Sequence, residues 1–507
     1  MADTFTSAAA VRKALRDRAE IALLDVRPEG RFAEGHPLFA ASFPLGRLEV
    51  EVFDRLPRRS VPIVVYGDGR ADAEVAIWRL RSLGYLDVSA LAGGLPGWDG
   101  ELFRDVNAPS KAFGELVEAT AGTPAVDAAE LRALLGGNVV VLDARRFDEY
   151  HTMSIPTATS VPGAELVLRA GALAPDPGTL VVVNCAGRTR SIIGTQSLIN
   201  AGLPNKVVAL RNGTIGWTLA GLTLEHGQQR RAPDVPAGLA RRARMAARAV
   251  SRKAGVRHIG RAELRSLAQQ RTVYRFDVRS PEEYAAGHLA GFRSAPGGQL
   301  VQETDRFAPV RGALVVLADD SGGRAAMTAS WLAQMGWEVR LLQVISAARP
   351  VETGPWRPDL PVPPRVSLVG PDELAGRLRA GRARVIDIDT SRQFLVGHVP
   401  GAAWALRTDL RHSPGLVLTS ADGTLAAFAA AEVSGTALAG GTAGWVASGR
   451  PLQAGQGEML SEPVDVYRRP YEGTGVDPAA MQAYLDWEYG LVVQLDRDGT
   501  HGFTVLT

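Results

Sequence analysis

The chain has 507 residues, of which 46% are hydrophobic and 22% charged, and its formal net charge is +2. This composition excludes a largely disordered chain and argues against a dedicated nucleic-acid-binding protein, which would carry a strong positive charge. No apolar run reaches the length of a membrane-spanning helix, and the single cysteine excludes an internal disulfide. We therefore expect a cytoplasmic protein with neither a membrane nor a nucleic-acid partner.

Four segments of the chain open with the same pattern, an apolar strand that ends in aspartate and leads into a short polar stretch. They read "ALLDVRPEGRFAEGH", "VVLDARRFDEYHTMS", "YRFDVRSPEEYAAGH" and "RVIDIDTSRQFLVGH". The four aspartates lie about 110 to 135 residues apart, a spacing typical of whole domains rather than of solenoid repeats. These anchor residues are Asp25, Asp143, Asp277 and Asp387.

A second element follows in each copy, an apolar strand, a loop of small residues and a helix-like stretch. The four versions are "PIVVYGDGRADAEVAIWRLRSLGY", "LVVVNCAGRTRSIIGTQSLINAGL", "LVVLADDSGGRAAMTASWLAQMGW" and "LVLTSADGTLAAFAAAEV". Continuous Val and Leu runs are typical of parallel strands that helices cover on both faces. The sequence therefore predicts an α/β protein in which an open parallel sheet flanked by helices occurs four times.

The segments between the copies define the domain organisation. We assign the copies and the tail to residues 1–105, 122–226, 256–345, 366–452 and 453–507. Residues 227–255 are rich in Ala and Arg and are predicted to form a basic helical linker, either a solvated connector or a docking site for an acidic partner or nucleic acid. The tail is predicted to hold one amphipathic helix, roughly 477–496, that packs on a neighbouring domain.

The only cysteine, Cys185, lies in the loop "NCAGRTRS" of the second copy, at the strand end where open α/β sheets bind ligands. A helix predicted from Ser191 onward directs its free N–H groups at the loop, and Arg188 and Arg190 add positive charge. Gly187 lets the backbone curl into a cradle for an anion. Because these features lower the pKa of a thiol, we predict a cysteine nucleophile acting on an anionic substrate; the alternative is a buried structural cysteine.

The four copies resemble rhodanese domains, the sulfurtransferase fold. The resemblance depends on the Asp-x-Arg after a strand, the Gly-His corner, the cysteine loop before a helix, and a closing Gly-Trp. This last motif occurs in "LAGGLPGW", "LRNGTIGW" and "LAGGTAGW", whereas the third copy has "LLQVISAARP" instead.

The resemblance implies a mechanism for Cys185. The thiolate attacks the outer sulfur of a small anionic donor such as thiosulfate, sulfite leaves, and a cysteine persulfide remains. The sulfur then passes to an external acceptor, which is cyanide, a small thiol or the thiol of another protein. The resemblance also implies that the loop binds the substrate, through Ala186, Gly187, Arg188, Thr189, Arg190 and Ser191.

The other three copies depart from the family pattern at the cysteine position. The sequence puts Gly67 there in the first copy, Ser321 or the neighbouring Asp320 in the third, and Ser420 in the fourth. None of these side chains forms a persulfide, so we predict that these copies are catalytically silent. In the second copy His151 precedes the corner position and is either a general base or, as we favour, a residue that only bonds the corner.

Other functions remain open on the sequence alone. A cysteine phosphatase of this fold has Cys-x5-Arg, but residue 191 is serine. A non-catalytic scaffold, or a persulfide carrier or sensor, would make Cys185 secondary, and a redox sensor would need a thiol from another molecule. We expect no cofactor and no metal, because the histidines are not at ligand spacing and no phosphate-binding loop motif is present.

Overall fold

The structure, a computed structural model, describes residues 5–342, 351–473, 475 and 477–507. The last residues assigned to the third copy, 343–345, and most of the segment "LLQVISAARP" lie outside the described residues. None of the helices in the described part of the chain combines the length and the apolar character needed to cross a membrane.

The first copy is a parallel sheet flanked by helices. Its strands are β1 (Phe5–Thr6), β2 (Ile21–Asp25), β3 (Ala40–Ser42), β4 (Ile63–Tyr66) and β5 (Val88–Leu91). Its helices are α1 (Ala8–Arg16), α2 (Glu29–Glu34), α3 (Leu48–Arg55) and α4 (Arg70–Ser82), with short 3₁₀ helices at Leu45–Arg47 and Leu95–Gly97. The strand order is β1-β5-β4-β2-β3. The helix α5 (Ala108–Ala121) then leads to the second copy.

The second copy repeats this order as β6-β10-β9-β7-β8. Its strands are β6 (Ala125–Val126), β7 (Val139–Asp143), β8 (Thr159–Ser160), β9 (Leu180–Asn184) and β10 (Val207–Leu210). Its helices are α6 (Ala128–Leu134), α7 (Phe147–Thr152), α8 (Leu166–Leu173), α9 (Thr189–Asn200) and α10 (Gly213–Leu219), and a 3₁₀ helix covers Gly163–Glu165. Asp127 begins α6 with a reciprocal capping box to Glu130, which satisfies N–H groups that the first helical turn leaves free.

The basic linker contains a helix, α11 (Ala237–Lys253), as predicted, and Ala247 and Val250 on it are buried. The third copy has strands β11 (Arg257–Ile259), β12 (Val273–Asp277), β13 (His288–Leu289), β14 (Arg293–Ser294), β15 (Val310–Arg311), β16 (Leu314–Ala318) and β17 (Glu338–Leu342). Its helices are α12 (Arg261–Gln270), α13 (Pro281–Ala286), α14 (Gly297–Gln302), α15 (Thr304–Phe307) and α16 (Arg324–Gln334). The sheet order is β11-β17-β16-β12-β14.

A short strand β18 (Val351–Glu352) pairs antiparallel with β13 before the fourth copy begins. That copy has strands β19 (Ser367–Val369), β20 (Arg384–Asp387), β21 (Ala403–Trp404), β22 (Leu416–Thr419) and β23 (Thr436–Leu438). Its helices are α17 (Pro371–Arg379), α18 (Ser391–Val396), α19 (Thr424–Glu432) and α20 (Gly441–Ala447), with a 3₁₀ helix at Arg407–Asp409. The order β19-β23-β22-β20-β21 repeats that of the other copies, so the predicted fourfold α/β fold is confirmed.

The tail differs in detail from the prediction. It adds a strand, β24 (Glu458–Met459), to the fourth sheet and then forms two helices rather than one, α21 (Pro478–Tyr489) and α22 (Leu491–Asp498). Gly490, a weak helix former, separates the two helices.

The copies are joined by contacts across their boundaries. Strand β15 of the third copy pairs antiparallel with β2 of the first. The indole of Trp331 donates to the hydroxyl of Ser197, which connects the third copy to the second. Arg407 of the fourth copy forms a buried ion pair with Glu49 of the first. The third copy therefore contacts both the first and the second, and the fourth copy contacts the first.

Candidate functional site

Strand β9 delivers Cys185 to the carboxyl end of the second sheet. Val181, Val182 and Val183 are fully buried, and the side-chain amide of Asn184 donates to Asp143 on the neighbouring strand at 3.1 Å. Cys185 follows directly and is only 1% exposed. Helix α9 begins at Thr189, two residues earlier than predicted, so the connecting loop is short.

One backbone hydrogen bond fixes the equivalent position in every copy. The N–H after each anchor aspartate donates to the last residue of the loop-bearing strand, in the pairs Val26 to Tyr66, Ala144 to Asn184, Val278 to Ala318 and Ile388 to Thr419. The next residues are therefore equivalent to one another: Gly67, Cys185, Asp319 and Ser420. In the third copy the equivalent residue is Asp319, rather than the Ser321 or Asp320 expected from the sequence. None of the three replacements carries a thiol.

The loop carbonyls are turned away from the sulfur by the start of α10. The carbonyl of Cys185 accepts from the N–H of Thr214 at 2.9 Å, and the carbonyl of Ala186 accepts from Ile215 at 3.0 Å. Gly213 makes this approach possible, because its φ is +54° and a side chain there would lie 2.7 Å from the carbonyl oxygen of Gly187. These two carbonyls are thus bonded to α10, while the backbone N–H of Ser191 bonds to the sulfur of Cys185.

Burial dominates the chemistry of the thiol. Cys185 donates to the hydroxyl of Ser191 at 3.5 Å, and that hydroxyl donates to the carbonyl of Arg188 at 2.7 Å. Burial raises the pKa of Cys185; Arg190 and the hydrogen bonds of Ser191 oppose this rise, and Glu488 adds to it. The net shift is upward, whereas the sequence predicted a lowered pKa from the nearby positive charges alone.

Arg190 is the cation that acts on the sulfur. Its guanidinium forms two bonds to Glu149, at 2.7 and 2.8 Å. Burial would raise the pKa of Glu149, but Arg190 holds it well below its usual range. In the third copy, which has Asp319 at the cysteine position, Arg324 makes the same pair with Glu283, so the pair belongs to the fold as well as to the site. A glutamate six residues after the anchor aspartate in the second and third copies was a signal available in the sequence.

Arg188 faces away from this arrangement. Its guanidinium is 3% exposed and pairs with Glu115 at 2.8 Å and with Glu118, both on α5. It also donates to the hydroxyl of Tyr489 at 2.8 Å and lies over that ring. The geometry therefore does not support substrate binding by the guanidinium of Arg188. Its contacts connect the loop to α5 and to the tail.

The buried ion pairs of Arg188 with Glu115 and Glu118 predict a loss of stability in an Arg188→Met variant. Removing the guanidinium leaves Glu115 buried without its partner, which costs about 3–5 kcal/mol for a buried pair. We expect a clear fall of the thermal midpoint, partly restored when Glu115→Gln is added. Arg377→Ala, which breaks an exposed pair with Glu373, is the matched control and should cost under about 0.5 kcal/mol. An unchanged thermal midpoint in Arg188→Met would contradict a stabilising role for these ion pairs.

The tail covers the other side of the loop. Ala186 and Ile215 form one apolar cluster with the tail residues Tyr471, Met481, Tyr484 and Leu485. A side chain at Gly187 would lie 3.3 Å from the ring of Tyr484 and 3.1 Å from a carboxylate oxygen of Glu488. No local pattern in the loop predicts these contacts, because the residues come from nearly 300 positions away in the chain.

A polar cavity of about 750 Å³ lies beside the site, where all four copies and the tail meet. Glu149 and Tyr471 form part of its wall, and both raise the pKa of Arg190. Arginines from every part of the chain line it: Arg55, Arg146, Arg306, Arg392 and Arg469. Cys185 does not reach its wall.

The other residues of the sequence motifs lie outside the reactive centre. His151 bonds to the carbonyl of Gln228, and Trp217 is buried with its indole donating to Thr223. Thr189 is buried where α9 meets α5, at Gly114. The pair of Asp143 and Arg145 recurs as Asp25 with Arg27 and Asp277 with Arg279, which marks it as a part of the shared fold.

Comparison with a family model, described as the rhodanese-like domain, gives matches at residues 7–101, 127–220 and 261–343. These segments make up more than half of the chain and lie in the first three copies. No curated protein matches the chain.

Among solved structures, thiosulfate sulfurtransferase from Pseudomonas aeruginosa is 55% identical, with a TM-score of 0.97, and the match covers 99% of this chain and 100% of that one. The Alr3790 protein from Anabaena sp. is 30% identical over 20% of this chain and 93% of its own, with a TM-score of 0.19. A rhodanese-related protein from Thermoplasma volcanium is 24% identical over 20% and 97%, with a TM-score of 0.18.

Proposed function

Since the chain belongs to the rhodanese-like family and is a rhodanese-type sulfurtransferase, we propose that Cys185 of its second copy carries the transferred sulfur as a persulfide. The observation that carries the proposal is the position of this thiol at the carboxyl end of β9, inside a loop whose carbonyls are bonded outward to α10. The backbone N–H of Ser191 bonds to the sulfur, and backbone N–H groups suit an anion such as a thiolate or persulfide. The corresponding residues of the other copies, Gly67, Asp319 and Ser420, offer no sulfur.

The loading step begins with the ionised thiol. The thiolate of Cys185 attacks the outer sulfur of thiosulfate, and a new S–S bond forms. The S–S bond of the donor breaks, and its electron pair leaves with sulfite. The terminal sulfur of the resulting persulfide carries one negative charge, which the N–H groups of Ala186 to Ser191 and the Arg190 guanidinium stabilise. In this proposal Arg190 stabilises the charge of the persulfide. Arg188 only connects the loop to α5 and to the tail.

The unloading step needs an acceptor from outside the chain. The sequence contains one cysteine, so no second thiol relays the sulfur internally. A thiophilic acceptor, cyanide or a thiol, attacks the terminal sulfur and releases the Cys185 thiolate. We propose that donor and acceptor approach from the side of the polar cavity, since Glu149 and Tyr471 in its wall both act on Arg190.

The silent copies have a supporting role in this proposal. We retain the boundaries 1–105, 122–226, 256–345 and 366–452 for the domains and propose that only the second is catalytic. Helix α5 contributes the ion-pair partner of Arg188, and the tail packs against the loop. These contacts support a structural role for the parts of the chain outside the second copy. A lone unpaired thiol fits a reducing compartment, so we propose a cytoplasmic location.

The proposal is tested by a panel of donors with cyanide as acceptor. Thiosulfate, a mercapto acid and glutathione persulfide are each supplied, and release of sulfite or of the desulfurated donor is measured with Cys185→Ala as the control. We expect turnover with at least one donor and none with the variant. Hydrolysis of an aryl phosphate at a comparable rate would instead favour a phosphatase, and no turnover with any donor would favour a scaffold.

A further inference from the structure

The tail brings one carboxyl group to the catalytic loop from outside the second copy. Glu488 lies on α21, is 1% exposed, and has one oxygen 3.1 Å from where a side chain at Gly187 would begin. Its other oxygen accepts a hydrogen bond of 2.8 Å from the hydroxyl of Tyr484. The oxygen that faces Gly187 is buried and has no hydrogen-bond partner among the described residues.

An unpartnered buried oxygen is costly as a carboxylate and tolerable in a neutral acid. Burial raises the pKa of Glu488 to about 8, and Lys111 and the Tyr484 hydroxyl only partly oppose this rise. Glu488 in turn adds to the upward shift of the pKa of Cys185. A negative charge on Glu488 therefore opposes a negative charge on Cys185.

We propose that Glu488 is a positioning residue that tunes the ionisation of Cys185: as a carboxylate it disfavours the thiolate, and as a neutral carboxylic acid it no longer does so. This inference rests on the proposed function, in which the thiolate is the attacking species. It gives the tail a direct part in the chemistry, because the residue that adjusts the nucleophile lies outside the catalytic copy.

Other charged and polar groups surround Glu488 and Cys185 and also influence their ionisation. Around Glu488 they come from α5, the loop and its own helix: Lys111, Glu115, Arg188 and Tyr484. Around Cys185 they are Arg190, Ser191 and Glu488. Lys111 is itself bonded to Asp105 at 2.8 Å and lies 4.9 Å from the centre of the Tyr484 ring, which fixes this cation beside the carboxyl group.

The test is the pH dependence of alkylation of Cys185 by iodoacetamide, a neutral reagent that reacts with the thiolate. In the unaltered protein we expect a broad profile, because two coupled groups share the titration. In Glu488→Gln we expect one step whose midpoint lies lower by about one pH unit, since no carboxylate opposes the thiolate. Tyr484→Phe, which removes a bond that favours the carboxylate, should shift the midpoint in the same direction by less.

Asp486→Asn is the matched control, because Asp486 lies on the same helix but is exposed to solvent. It should leave the profile unchanged, and thermal unfolding confirms that each variant is folded. A Glu488→Gln profile that overlays that of the unaltered protein, or a midpoint that moves upward, would overturn the proposal. The alkylation needs no sulfur donor, so its outcome is separate from the donor panel that tests the proposed function.

Discussion

Replacing Cys185 by serine is expected to reduce sulfur transfer to the background rate while leaving the fold intact. Serine removes the only atom in the loop that can bind a sulfane sulfur, and its hydroxyl is a poor nucleophile without an adjacent base. The fold tolerates serine at this position, since Ser420 occupies it in the fourth copy and accepts the N–H of Ala426 at 3.1 Å. Turnover is measured as thiocyanate formed from donor and cyanide.

The control for this variant is its stability. The free energy of unfolding of Cys185→Ser should lie within about 2 kcal/mol of that of the unaltered protein, because one buried atom is exchanged for a smaller one. Turnover that survives in a folded Cys185→Ser protein would mean that the sulfur is carried elsewhere. The role of the second copy as the catalytic domain would then have to be abandoned.

Replacing Gly213 by alanine is expected to lower turnover by about 100-fold or more, because a displacement of about 1 Å at a reacting group has an effect of this size. The added methyl group would collide with the carbonyl oxygens of Cys185 and Gly187, with 2.7 Å to the second of them. The loop must move to relieve this contact, and the sulfur and the N–H groups move with it. The rate of the loading step, followed as sulfite release, measures the loss.

Gly202→Ala separates this effect from ordinary backbone strain. Gly202 also has a positive φ, +72°, but nothing lies within 4 Å of where its side chain would begin. Alanine there costs about 1–2 kcal/mol of stability from the left-handed conformation alone and should leave turnover unchanged. Equal activities of the two variants would show that the contact between Gly213 and the loop does not matter for catalysis.

The sequence was sufficient for the features that local patterns encode. Buried Val and Leu runs predicted the parallel strands, and the recurring aspartates predicted four copies with one thiol at a strand end. The same comparison misassigned the equivalent residue of the third copy, because "ADDSGGR" has several polar residues and only the strand register identifies Asp319.

The surroundings of the site could not be read from the loop. The expectation of a lowered thiol pKa counted the charges of Arg188 and Arg190 but not the burial, which depends on the tail. Arg188 has the residue type of an anion-binding group, yet its direction is set by Glu115 on a helix between two copies. Glu488 is more than 300 positions from Cys185 in the chain, so only the assembled fold brings the two together.

The most direct test of the account is the mass of the protein after incubation with the donor and removal of excess reagent. We expect the intact chain to gain the mass of one sulfur atom, the peptide that contains Cys185 to carry it, and cyanide to remove it. No gain in mass with any donor that supports turnover, or sulfur found on a peptide without Cys185, would contradict the persulfide at this position.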